Sequence, residues 1–129
     1  MTQLGRIRWG WVLVGGLVAE IALMLFVPIQ FLPGGETALL YLVMPLCLAA
    51  TGLAGYWIAR KADTARVLHG GLVGAVALVL YAALTWTQEL PALYTLANYL
   101  KIAGGLAGGW AADRLRRSAP AGTGGAEPT

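Results

Sequence analysis

The chain has 129 residues, 58% of them hydrophobic and only 12% charged. Soluble domains carry about a quarter charged residues, and a chain this short has too little interior to hide so much apolar surface, so a water-facing exterior is disfavoured and a lipid-facing one resolves the conflict. The net charge of +3 is too small for a nucleic-acid partner, and the single Cys47 excludes an internal disulfide and any cysteine metal cluster.

Four apolar runs follow in chain order: 9–32, 38–59, 67–87 and 91–112. Each is long enough to cross a hydrocarbon core of about 30 Å as helix. Helix is required because lipid offers no partner to open backbone groups. The runs are separated by "LPGGE" (32–36), "RKADTAR" (60–66) and "TQELP" (87–91), all turn or loop compositions. The first run is too long for the apolar part of a cleavable signal and lacks a clear cleavage site. Residues 118–129, "SAPAGTGGAEPT", have the small, Pro/Gly-rich composition of a disordered tail. Residues 1–117 are expected to form one membrane domain.

Orientation follows from the basic residues. Arg6 and Arg8 precede the first run, Arg60, Lys61 and Arg66 fill the second loop, and Arg114, Arg116 and Arg117 follow the fourth run. Eight of nine basic residues thus fall on one side; the ninth, Lys101, lies inside a run. Both termini are expected on the cytoplasmic side of a bacterial inner membrane. Arg60, Lys61, Arg66, Arg114, Arg116 and Arg117 are expected to meet anionic lipid headgroups. The five tryptophans sit near run ends, as interfacial aromatics do.

The chain also repeats itself. "VLVGGLVAEIALMLFVP" (12–28) matches "VLHGGLVGAVALVLYAA" (67–83) at nine of 17 positions, and "ATGLAGYWIARK" (50–61) matches "AGGLAGGWAADR" (103–114) at seven of 12. The expected architecture is all-α: a four-transmembrane-helix bundle built from two tandem hairpins, about 9–61 and 64–114. A pseudo-two-fold axis along the membrane normal would relate them. Gly15, Gly16, Gly52, Gly55, Gly70, Gly71, Gly74, Gly104, Gly105, Gly108 and Gly109 give the runs small-residue faces that let helices approach closely. These faces serve either packing within the chain or a homodimer.

Glu20 and Lys101 are the ionisable groups deep in the runs. A charge at a bilayer centre costs at least about 2.5–3.5 kcal/mol. Glu20 lies 11 residues from Trp9 and Lys101 lies 11 residues from Ala112, which puts both roughly 16 Å from the same surface at 1.5 Å per residue. Both also lie on small-residue faces. An intramembrane ion pair is therefore expected, with Asn98 positioned to add a hydrogen bond. In the repeat their counterparts are Ala75 and Leu48, so the pair would be an addition to a symmetric scaffold. His69 stands without metal-ligand neighbours. No metal, cofactor or catalytic constellation is expected, and the chain reads as non-enzymatic.

The segments 51–81 and 99–114 ("YLKIAGGLAGGWAADR") resemble the uncharacterised YrzE-like group of small four-span bacterial membrane proteins, with a Gly-rich end to span 2, a basic loop, an "LHG.LVG" start to span 3 and a Gly-rich span 4. That resemblance implies an integral membrane protein and no particular activity. "VGGLVAEI" (14–21) resembles the first span of small multidrug resistance transporters, which implies a coupling carboxylate at Glu20. Lys101 and the strongly basic second loop depart from that pattern. Two functions follow: a scaffold, partner subunit or membrane-homeostasis component contacting lipids and a membrane partner, or a small proton-coupled transporter or channel subunit using Glu20.

Overall fold

The computed structural model describes residues 7–62, 64–89 and 92–118. They form helices α1 (Trp9–Met24), α2 (Gly35–Lys61), α3 (Arg66–Leu84) and α4 (Ala92–Ser118), with a short 3-10 helix at Val27–Phe31. No strand occurs among the described residues. The first apolar run is therefore not one continuous helix. Pro28 lacks the N–H that would reach back to the Met24 carbonyl, and the chain tightens into the 3-10 turn. The next turn depends on two glycines. Gly34 has φ +72°, where a Cβ would be strained, and a Cβ on Gly35 would strike the Ile29 carbonyl. The second Pro does not break its helix: α2 runs through Pro45 for 27 residues.

Three stretches are long and apolar enough to cross a membrane: Trp9–Phe31, Gly35–Lys61 and Arg66–Leu84. Helix α4 equals α2 in length at 27 residues, but Asn98, Lys101 and a charged C-terminal end make it more polar. The exterior is apolar as well as the interior. On α1, Leu13, Leu17 and Ile21 form an exposed stripe that Leu25 continues just past its end, while Val12, Gly15, Gly16, Ala19 and Glu20 face inward.

Helix α4 packs closely on both α2 and α3, and α1 packs on the same two helices from the other side. Thus α1 and α4 occupy opposite corners. Glycines set the spacing of α2, α3 and α4. A Cβ on Gly55 would lie 2.9 Å from the Gly105 carbonyl oxygen and 3.3 Å from the Gly70 Cα, so three helix backbones meet there. Gly108 lies against the Gly52 backbone, Gly74 against the Lys101 carbonyl, Gly104 against Leu48, and Gly109 against Arg66 and Val67. Gly15 and Gly16 receive the side chains of Ile58, Val73 and Val76, and Gly71 receives Leu106. Such close backbone approach gains dispersion energy that larger residues would forbid.

The start of the fourth run at Pro91, the position of Arg6 and the tail from residue 119 lie outside the described residues.

Candidate functional site

Glu20 points from the inward face of α1, and Lys101 points from the face of α4 that also carries Ala97, Gly104, Gly105 and Gly108. The helices stand at opposite corners, and the long lysine side chain spans the gap. Lys101 Nζ donates to Glu20 Oε2 at 2.6 Å. Glu20 is 3% exposed and Lys101 1%. Helix α3 supplies a third member: Nζ sits 4.8 Å from the centroid of the Tyr81 ring, whose π face attracts a cation. Buried charges are tolerated when paired and hydrogen-bonded, and this contact meets that condition.

Asn98 departs from expectation. Its Nδ2 donates to the Tyr94 carbonyl at 2.6 Å, and its Oδ1 is buried without a partner. It makes no hydrogen bond to the Glu20–Lys101 pair. The reason is directional: a helical side chain leans toward the N-terminus of its helix, which carries Asn98 toward Tyr94 and away from Lys101. The Tyr94 carbonyl requires a donor, so the amide orientation is fixed.

The pair lies at the inner end of a cavity of about 420 Å³. All four helices and the 3-10 turn contribute to its walls, which include Leu23, Val27, Leu39, Val43, Leu46 and Leu84. Gln30, Thr85 and Gln88 lie toward the end away from the basic loops. The cavity arises from two features. The glycine contacts draw α2, α3 and α4 together toward the basic end, and the break after Met24 turns the chain aside at the other.

The basic end is a second polar cluster that the charge count alone did not resolve. Arg66, expected at lipid headgroups, is instead buried and 3.8 Å from Asp113 of α4, which also pairs with Arg117 at 3.0 Å. The correction has a simple cause. Gly109 brings α4 against the start of α3, leaving the Arg66 side chain against protein rather than at the rim. Asp113 was missed because it sits among arginines in "ADRLRR" and counts toward charge balance, not toward a contact. Arg60, Lys61, Arg114, Arg116 and Arg117 are exposed. Lys61 stacks over Trp11 and Trp57 at 4.8 and 5.7 Å, and the two indoles meet edge to face at 6.1 Å.

His69 is fully buried. The Arg8 backbone N–H donates to its Nε2 at 3.1 Å, so the other nitrogen, Nδ1, carries the proton and donates to the Ala65 carbonyl at 2.8 Å. Ala65 has φ +53°, an unfavourable conformation for a residue with a Cβ. The Arg8 guanidinium donates to the Lys61 carbonyl at 3.2 Å, satisfying an end group of α2. His69 thus ties the start of α1 to the start of α3. Among the described residues no group of His, Cys, Asp and Glu could hold a metal ion.

No protein family, curated protein or solved structure matches the chain.

Proposed function

We propose that the chain is a non-enzymatic four-span protein of a bacterial inner membrane, acting as a scaffold or partner subunit with both termini cytoplasmic. The observation that carries this reading is the closed Glu20–Lys101 contact at 2.6 Å. It joins the two helices that do not pack directly on one another, and so fixes their register as a clamp. A carboxylate engaged by a buried ammonium is poorly placed to load and release a transported ion. The apolar stripe outside α1 and the one-sided basic residues support membrane insertion. The likeness of residues 51–81 and 99–114 to the YrzE-like proteins supports the same class. The packing glycines are occupied within the chain, so contact with a second chain would use the outer apolar faces.

A second reading is favoured by the cavity: a small proton-coupled transporter or channel subunit in which Glu20, at the cavity's inner end, exchanges Lys101 for a proton or cation. The deciding experiment is proton and cation flux into proteoliposomes containing the native chain or Glu20→Gln. Flux no greater than that of empty liposomes for both supports the scaffold. Flux that the native chain supports and Glu20→Gln abolishes establishes the transporter.

A further inference from the structure

We propose that the cavity above the Glu20–Lys101 pair is a binding site for an uncharged single-chain amphiphile with a hydroxyl head, such as a medium-chain alcohol. The inference rests on membrane insertion but not on the scaffold role. The volume of about 420 Å³ falls in the range of small-molecule sites, about 300–1,000 Å³. Between its two ends the walls are Leu23, Val27, Leu39, Val43, Leu46 and Leu84, which give water few partners and which an apolar chain fills without loss.

Gln30, Thr85 and Gln88 line one end of the cavity, and Glu20, Lys101 and Asn98 lie at the inner end, with the Tyr81 ring beside Lys101. Their charges select the head. Glu20 and Lys101 already neutralise each other. A cationic or anionic ligand would have to displace one partner and strand the other in a low-dielectric site. An uncharged head leaves the pair intact. The acceptors at that end are the carboxylate and the Asn98 Oδ1, which is buried and unpartnered, and the donor is the Lys101 ammonium. A hydroxyl both donates and accepts, so it matches this mixed set. A pure hydrocarbon leaves Asn98 Oδ1 unsatisfied.

The test uses the purified full chain in detergent micelles. Native mass spectrometry compares 1-decanol, decane, decylammonium and decanoate, and a diazirine-bearing decanol maps the contact. The expected result is one decanol bound per chain, at least tenfold tighter than the other three. Asn98→Leu should reduce that preference over decane at least tenfold, and photolabel should appear on 39–47 and 94–101. Decane binding as tightly as decanol, tighter binding of either ion, or label confined to the outer stripe of α1 would each overturn the proposal. The photolabelling arm needs no substitution, so a variant that fails to fold does not weaken the test. Flux measurements on Glu20→Gln remain separate, so this site and the scaffold reading can fail independently.

Discussion

The sharpest consequence concerns the Glu20–Lys101 contact. At 2.6 Å and an effective dielectric constant of about 20, unit charges attract by about 6 kcal/mol. Desolvating both groups offsets much of that, so the pair's net contribution is small. Removing one partner has a different effect, because it leaves the other charge buried and uncompensated. Glu20→Met and Lys101→Met are each expected to destabilise the fold by about 3–5 kcal/mol. The double substitution is expected to return to within about 1 kcal/mol of the native chain. Methionine is flexible enough to fill the vacated space. The double-mutant coupling energy should therefore be at least about 5 kcal/mol. Steric-trap unfolding in micelles, followed by tryptophan fluorescence, measures all four chains on one scale. Single-substitution costs under about 1 kcal/mol that add in the double variant would show that the two side chains do not act as a pair.

Further outcomes test the packing and the basic end. Gly105→Ala is expected to cost about 3 kcal/mol or to prevent folding, because its methyl would strike the Gly70 carbonyl, which is helix backbone and cannot swing aside. Gly10→Ala, with nothing within 4 Å, should be neutral or stabilising by up to about 1 kcal/mol; thermal unfolding compares the two. Ala65→Gly should raise stability by about 1 kcal/mol by relieving the positive φ, and an unchanged or lowered unfolding midpoint would count against that strain. His69→Phe leaves the Arg8 N–H and the Ala65 carbonyl without their side-chain partner and should cost about 2 kcal/mol. Hydrogen exchange should then rise first at the starts of α1 and α3. Phosphatase and fluorescent-protein fusions after residues 62, 88 and 118 test the four-span topology. Phosphatase activity is expected only at residue 88.

The residues differ in how far their roles can be read from sequence. Length and apolarity locate the helices, because a helix satisfies its backbone groups within its own segment. Counting residues from the run ends places Glu20 and Lys101 at one level of the bundle, because helical rise is nearly constant. The run over 9–32 breaks before Pro28, whereas α2 passes through Pro45 unbroken. The same residue ends α1 and is carried inside α2, and the difference lies in the neighbouring turns and helices.

Depth was readable in the chain; rotation about each helix axis was not. Helices α1 and α2 are apolar almost all round, so little hydrophobic periodicity marks their inner faces. The facing of each side chain was decided by which glycines met across the interfaces. That choice turned Arg66 inward to Asp113, laid the Tyr81 ring beside Lys101 Nζ and left a cavity at the wide end of the bundle. It also set Leu48 at 39% exposure while its counterpart in the repeat, Lys101, is buried. By itself the sequence determined a greasy helical chain with two buried opposite charges at one depth. Only the tertiary structure decided what surrounds them, because those contacts join residues far apart in the chain through close packing that no local pattern records.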